Sequence, residues 1–346
     1  MNAPFEGKVI SKVAAISRFT ELADYIIPFT IRAVSELKVA DTLQAGPRHV
    51  SEIAREVGAN ELALYRAMLA LASKGIFAER ERGVFEQTEL SVLLATDDPM
   101  SLRDGYRLLH ADIKAWSRFD YSLRTGRASF DIVHDQGYWD FCSTHLDYSR
   151  MFDNAMAAFT KLEYRAILAA YDMSQCRTIV DIGGGNGKLL SLLLHSLPNA
   201  RGILFDQPHV VDKARPVFEA QGVADRCEIV GGSFFDQVPA GGDLYIIKRI
   251  IYDWDDAQAA QILGNVASVM AKNGRVAVVD PVLTAGNASD PGTTYSRIYD
   301  LLMLAMVSGH ARSEEESRAL FARAGLRLTR VVPTMLFPIV EGVKAG

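Results

Sequence analysis

Residues 178–188 constrain this chain more than any other stretch. Thr178-Ile179-Val180-Asp181-Ile182 is a short β-branched run that opens directly into Gly183-Gly184-Gly185-Asn186-Gly187-Lys188. A helical pattern over residues 189–197 follows and is stopped by Pro198. A strand that turns through glycines into a helix lets the backbone approach a ligand closely and aims the helix N–H groups at it. Counted from Gly183, a dinucleotide fingerprint needs glycine at position 188, which is Lys188, so a nicotinamide-dependent dehydrogenase is disfavoured. A P-loop is excluded because no Gly-Lys-Ser/Thr follows at the required spacing. The next strand, Gly202-Ile203-Leu204-Phe205, ends in Asp206. An acid there can accept hydrogen bonds from both ribose hydroxyls of an adenosine. From Thr178 onward, short β-branched runs alternate with helices, the pattern of a parallel sheet.

The first 100 residues read differently. Ile16, Phe19, Leu22, Ala23, Ile26 and Ile27 recur at helical spacing before Pro28, and a second helical stretch covers about residues 29–37. Residues 50–58 predict a short helix with Ser51 as N-cap and Gly58 as its stop. A helix over 61–74 and a hairpin of 76–79 with 84–87 complete the order of a winged helix. DNA binding does not follow. The would-be recognition helix carries only Arg66 and Lys74 as basic residues, and the formal net charge of the chain is -5, whereas phosphate contacts dominate such affinity. Its apolar circumference suits a partner subunit better. Residues 101–175 are helical and aromatic-rich, a linker or pocket segment. The expected domains are therefore 1–100, 101–175 and 176–346. With 49% hydrophobic and 23% charged residues, 346 residues can bury sizeable cores. No run approaches the roughly 20 apolar residues of a membrane span, and the N-terminal MNAPFEGKVISKV lacks a leader's apolar core. Cys142, Cys176 and Cys227 suggest neither a disulfide framework nor a metal site, which fits a cytoplasmic protein.

Asp181-Ile182-Gly183-Gly184-Gly185-Asn186-Gly187 and Phe205-Asp206-Gln207-Pro208-His209-Val210-Val211 resemble the cofactor motifs of S-adenosylmethionine-dependent methyltransferases. More narrowly, the chain resembles the small-molecule O-methyltransferases of the plant caffeate type and their bacterial secondary-metabolism relatives, phenazine-type enzymes included. Gly231-Gly232-Ser233-Phe234-Phe235, the segment from Tyr245 to Trp254 and Gly309-His310-Ala311-Arg312-Ser313 carry the likeness further. The resemblance implies an α/β fold, with a Rossmann-like doubly wound sheet preceded by a mostly α-helical winged-helix dimerisation domain. It implies S-adenosyl-L-methionine as cofactor, a small-molecule acceptor and a homodimer, with no nucleic acid or membrane partner. Asp181, Gly183, Gly185, Gly187, Asp206 and Gln207 would hold the methionine and ribose. Ser233 and Phe234 stand where the family has Asp and Met to read adenine, and Lys248 and Trp254 join this shell.

The sharpest departure is at the expected base. In the resembling enzymes a His before Asp-Trp takes the acceptor's proton, flanked by two Glu residues; here those positions are Tyr252, Asp280 and Ala311. Tyrosine, with a reference pKa of about 10, is a poor base near neutrality. Losing a positioned base costs on the order of 10²- to 10⁴-fold. Four readings stay open: a base from elsewhere, with His310 beside the lost Glu and His110 and His145 as further choices; an acceptor that binds as an oxyanion; methylation of nitrogen or carbon; or a diverted hydroxylase or cyclase. Asp280 follows the strand at 276–279, at the sheet edge where ligands bind. His110, Trp116, His145, Phe152, Met156, Asp300, Met303 and Met306 are the expected acceptor-side residues, the two methionines because thioethers adapt to varied shapes.

Overall fold

The computed structural model describes residues 12–107, 109–286 and 290–346; residues 1–11, read above for a leader, lie outside them. The chain divides into two compact units, Met1–Leu108 and Leu109–Gly346.

The first unit is helical around a small sheet. Helices Lys12–Leu22 and Ile26–Glu36 are separated by a break at residues 23–25. Pro28 does not make that break. It lies in the first turn of the second helix, where a missing N–H costs nothing, and the Asp24 carboxyl accepts from the N–H groups of Ile26 and Ile27 at 2.9 and 3.0 Å. Strand β1 (Arg48–His49) pairs with β3 (Val84–Gln87), which pairs with β2 (Phe77–Glu81). Helix Val50–Val57 is capped by His49 rather than Ser51: His49 Nδ1 accepts from the Ser51 N–H, and Gly58 closes the other end at φ 69°. With helix Glu61–Ala72 these elements form the winged-helix order around Ile53, Met68, Leu71, Phe77 and Phe85.

The second unit is built on a seven-stranded sheet. Its strands are β4 (Thr178–Ile182), β5 (Arg201–Asp206), β6 (Cys227–Gly231), β7 (Leu244–Lys248), β8 (Arg275–Val279), β11 (Leu326–Val332) and β12 (Ile339–Lys344). Two short strands, β9 (Val282–Leu283) and β10 (Arg312–Ser313), pair separately. The order is β11-β12-β8-β7-β4-β5-β6, with β4 to β8 parallel and β12 antiparallel between β11 and β8. This is the doubly wound, Rossmann-like sheet expected from the sequence. Apolar clusters cover both faces, which is why β4, β7 and β8 are apolar on alternate residues of either side. The order reverses beside β4, so the glycine turn after β4 opens at the switch point where ligands bind. Residues 109–175 pack within this unit: Ala111, Ala115, Phe130, Tyr138 and Phe141 cluster with Ala305 and Met306. Helix Leu146–Ala170 is 25 residues long and helix Pro291–Met306 is 16. Among the described residues no helix is long and apolar enough to cross a membrane.

Candidate active site

The glycine turn is left-handed at three places: Gly183 (φ 68°), Gly185 (φ 62°) and Gly187 (φ 79°). A side chain on Gly187 would meet Phe218 at 2.5 Å and one on Gly183 would meet Ile250 at 2.6 Å, so these two glycines admit close packing. Above Gly185 nothing lies within 4 Å; that glycine faces open space. Asp206, at the end of β5, fixes this part of the loop. Its Oδ2 accepts from the Gly185 N–H at 2.8 Å and its Oδ1 from the Gln207 N–H at 2.7 Å. Each oxygen retains a lone pair for a further donor. Asp181 is buried at the end of β4, and its Oδ2 has no hydrogen-bond partner. Burial pushes its carboxyl up to about 7 against the pull of the Lys248 ammonium, and the Asp206 carboxylate adds to the push. A buried acceptor left without a donor is costly, and a ligand ammonium would satisfy it.

On the β6 side, Phe234 packs over the turn, 3.7 Å from where a Gly183 side chain would begin. Its ring meets Phe235 (4.9 Å) and Trp254 (6.1 Å) edge-on. The Trp254 Nε1 is buried without a partner. Ser233 Oγ accepts from the Phe235 N–H at 3.2 Å.

Tyr252 and Asp280 meet beyond β7 and β8. The Asp280 Oδ1 accepts from the Arg249 N–H (2.8 Å) and its Oδ2 from the Tyr252 N–H (3.1 Å). Burial raises this carboxyl to about 6 while those backbone donors pull it down. The Asp280 carboxylate thus anchors the 249–252 turn through backbone donors. The Tyr252 hydroxyl is buried 3.5 Å from Arg249 Nη1. Burial drives its pKa well above the usual phenol value despite the nearby guanidinium, so it stays a neutral phenol.

His310 follows Gly309, which packs against the Tyr252 and Asp253 backbone. It is exposed, with Nε2 3.8 Å from Asp256 Oδ1. His110 is exposed at the start of helix His110–Trp116, as is Trp116 at its end. His145 is exposed and stacked on Phe141 at 3.8 Å. None of the three histidines is desolvated, and a lone residue in a helical pattern carries no sequence signal of burial. Phe152 lies 5.8 Å from Tyr138 and 6.0 Å from Trp139. Met156 is half-buried on the long helix, and Met303 and Met306 are buried. Asp300 accepts from the Ala311 N–H at 2.8 Å and so ties the 309–311 loop to its helix.

Sequence reasoning missed the pair at the centre of the site. Glu163 is buried on the long helix. Its Oε2 meets Lys248 Nζ at 3.0 Å and its Oε1 meets Arg249 Nε at 2.6 Å. The Arg249 guanidinium lies 4.6 Å from the ring centres of both Tyr299 and Phe337, and Nη2 donates to the Tyr295 hydroxyl at 2.9 Å. A signal existed: Ala155, Ala158, Glu163 and Ile167 fall on the buried stripe of that helix, and an acid on such a stripe asks for a buried cation.

A doubly wound sheet with an open glycine, an acid at the end of β5 and a buried carboxyl with one unpartnered oxygen suits an adenosyl cofactor that carries an ammonium. The O-methyltransferase domain model matches residues 116–327, and the O-methyltransferase dimerisation domain model matches residues 20–97. The chain is 36% identical to the phenazine O-methyltransferase PhzM of Lysobacter antibioticus, over 90% of this chain and 91% of that protein. It is also 36% identical to the mitomycin biosynthesis 6-O-methyltransferase of Streptomyces lavendulae, over 89% and 88%. The O-methyltransferase NcsB1 from neocarzinostatin biosynthesis, solved with S-adenosylmethionine and a hydroxy-methylnaphthoic acid, superposes with a TM-score of 0.77 at 31% identity, covering 94% of this chain and 98% of that one. The chain belongs to the O-methyltransferase family, enzymes that use S-adenosylmethionine.

Replacing Asp206 by alanine should weaken S-adenosylmethionine binding at least tenfold (~1.4 kcal/mol), because the end of β5 loses a charged acceptor and the Gly185 N–H loses its anchor. Calorimetric titration of the variant checks this, and unchanged affinity would assign the ribose to another residue.

Proposed function

We propose that this enzyme transfers a methyl group from S-adenosylmethionine to a ring hydroxyl of a small, flat aromatic secondary metabolite, and that it works as a homodimer. The observation that carries the reading is a run of rings leading to the glycine turn. Tyr138 meets Trp139 at 5.1 Å, Trp139 stacks with Trp254 at 6.5 Å and 24°, and Trp254 meets Phe234, which covers Gly183. Aromatic walls with a few polar groups suit a planar acceptor. Phenazine, mitomycin and naphthoate chemistry in the names of the relatives points the same way.

The residues fit the cofactor: Asp181 for its ammonium, Asp206 for its ribose hydroxyls, and Phe234 with the Trp254 Nε1 for its adenine. When bound, the cofactor supplies an activated methyl group on a positively charged sulfur. The chain contributes alignment of the acceptor, exclusion of water and a place for the acceptor's proton. Incubation with methyl-labelled cofactor and a panel of dihydroxyphenazines, hydroxynaphthoates and aminohydroxyquinones should give a labelled aryl methyl ether. Label on nitrogen or carbon, or cofactor binding without any transfer, would defeat the reading.

Tyr252 acts in this scheme as a hydrogen-bond donor that orients the acceptor. Tyr252→Phe should lower kcat/KM only about tenfold, the scale of one hydrogen bond. A loss above about a thousandfold, with a pH limb that vanishes in the variant, would make Tyr252 the base.

A further inference from the structure

We infer that Arg249, together with the Tyr252 hydroxyl, binds the acceptor's reacting oxygen as an anion, so that no general base is needed. The inference rests on the O-methyl transfer proposed above. The Arg249 side chain is 6% exposed, and buried donors are as a rule matched by acceptors. Nε and Nη2 are: they meet Glu163 Oε1 at 2.6 and 2.5 Å, and Nη2 also donates to the Tyr295 hydroxyl at 2.9 Å. Nη1 is not. It carries two N–H groups, and its one partner among the described residues is the Tyr252 hydroxyl at 3.5 Å. That is beyond the usual range of about 2.7–3.2 Å. The backbone is also under constraint here. Arg249 sits at φ 59°, a left-handed conformation that is costly for a residue with a side chain and that gathers at functional sites. Asp280 holds it there through the Arg249 and Tyr252 N–H groups.

Contacts tie this guanidinium to both halves of the site. Ile250, the next residue, packs on the glycine turn, where a Gly183 side chain would meet it at 2.6 Å. Trp254, at the far end of the same turn, stacks with Trp139 at 6.5 Å. On helix Leu146–Ala170, Phe152, Met156, Phe159 and Glu163 follow one another at spacings of four, three and four, which is one helix face. Phe152 meets Tyr138 and Trp139 of the ring run. Phe159 lies 5.7 Å from the Arg249 guanidinium, and Glu163 holds it. At 1.5 Å per residue, Phe152 and Phe159 are about 10 Å apart along the helix, close to the long axis of a fused-ring acceptor. Tyr299 and Phe337 complete the cage at 4.6 Å each. Phe337 is buried, but Phe159, Tyr295 and Tyr299 are only half-buried, so the cage is not sealed.

Arg249 and Lys248 share one contacting carboxylate, Glu163. Burial keeps the Tyr252 and Tyr295 phenols protonated, so they face the guanidinium as neutral hydroxyls. The acids on and under its turn are Asp253, pushed well above the usual range by burial, and Asp280, raised to about 6 and turned to the backbone. An anionic oxygen at Nη1 would accept from the two under-used N–H groups and from the Tyr252 hydroxyl, in charge-assisted bonds. The weakly hydrated arginine fork suits such a buried oxyanion. A cation at this range lowers the pKa of an acidic group by about 1–3 units. The class of acceptor that fits is a hydroxyarene already acidified by a ring nitrogen or a conjugated carbonyl, which gives its proton to solvent on binding. Methyl transfer then moves no proton. The oxygen pair forms the new O–C bond, and the S–methyl bond breaks with its electron pair kept by sulfur. The aryl methyl ether and thioether that result are both uncharged at the reacting atoms, so Arg249 loses its hold on the product.

The test follows the ionisation of a monohydroxyphenazine, which its visible absorbance reports, in complex with the enzyme and S-adenosylhomocysteine. Bound to wild type, the probe should ionise at least about one pH unit below its value in free solution. Bound to Arg249→Met it should ionise at or above that value. The methyl ether of the same phenazine separates recognition of charge from packing. Its dissociation constant should change less than about threefold in the variant, while that of the ionised probe rises at least about tenfold, the equivalent of one pKa unit. Arg249→Lys guards against loss of the fold, because it keeps a cation opposite Glu163. Without the fork to reach the acceptor, it should lose at least half of the ionisation shift. S-adenosylhomocysteine affinity within about threefold of wild type verifies that either variant is folded. An unshifted ionisation in wild type, failure of the ionised probe to bind, or equal weakening of probe and ether overturns the assignment. If wild type shifts the probe but methylates no hydroxyarene, the O-methylation reading fails while anion binding by Arg249 stands.

Discussion

Glu163→Ala should cost roughly 3–5 kcal/mol of folding stability, the usual penalty for stripping one partner from a buried ion pair. Its side chain is 2% exposed, and it faces two cations that are themselves 10% and 6% exposed. Without it, the Arg249 guanidinium and the Lys248 ammonium remain inside and lose the carboxylate that both contact. The aromatic faces of Tyr299 and Phe337 offset only part of that, since a cation–π contact contributes about 0.5–2 kcal/mol. The effect has a pH signature. Burial alone would raise the Glu163 carboxyl, but Arg249 and Lys248 outweigh it and hold it at about 2. The unfolded chain has the ordinary glutamate value of roughly 4.3. A depressed folded pKa gives stability that is complete above the unfolded value and lost as pH falls toward the folded one. Urea unfolding of wild type should therefore show an acid limb between about pH 4 and 2 that is reduced in the variant. A variant within about 1 kcal/mol of wild type at pH 7 would mean that water reaches the two cations, an outcome against the burial seen here.

The glycine turn, the acid after β5 and the alternation of strands and helices were legible because each is local: a few adjacent residues dictate the backbone they adopt. The sheet could be read for the same reason, since apolar β-branched runs such as 178–182 and 276–279 have few other uses. What escaped is decided by partners distant in sequence. Asp280 could be placed at a sheet edge, but its two backbone donors come from a turn about thirty residues earlier. Glu163 and Arg249 are 86 residues apart, and neither looks unusual beside its neighbours. His310, His110 and His145 are chemically suitable bases, yet whether a lone histidine is desolvated depends on packing that no short pattern records. Pro28 misled for a different reason: proline breaks a helix interior but is tolerated in the first turn, and only the position of Asp24 separates the two cases.

Phe19→Asp should convert the enzyme from dimer to monomer at micromolar concentration. Helix Lys12–Leu22 buries none of its residues within the chain, and Val13, Ile16, Phe19 and Leu22 are all exposed, Phe19 at 72%. The same unit carries an apolar groove of about 630 Å³ lined by Tyr25, Ile26, Phe29, Leu37, Ala63 and Leu64. Exposed apolar surface on this scale marks an interaction face, and the dimerisation domain model matches residues 20–97 of this unit. A two-fold interface uses each residue twice. Burying a large apolar side chain contributes about 1.5–3 kcal/mol, so losing both copies of Phe19 removes about 3–6 kcal/mol. That is on the order of 10²- to 10⁴-fold in the dimer dissociation constant, before the cost of burying two aspartates is added. Light scattering of wild type should give twice the 38.0 kDa chain mass, and the variant should give the chain mass itself. The substitution lies on a surface that the folded chain leaves exposed, so the monomer should keep its secondary structure, which circular dichroism verifies. A wild-type monomer at that concentration, or a variant dimer of unchanged affinity, would place the subunit contact elsewhere.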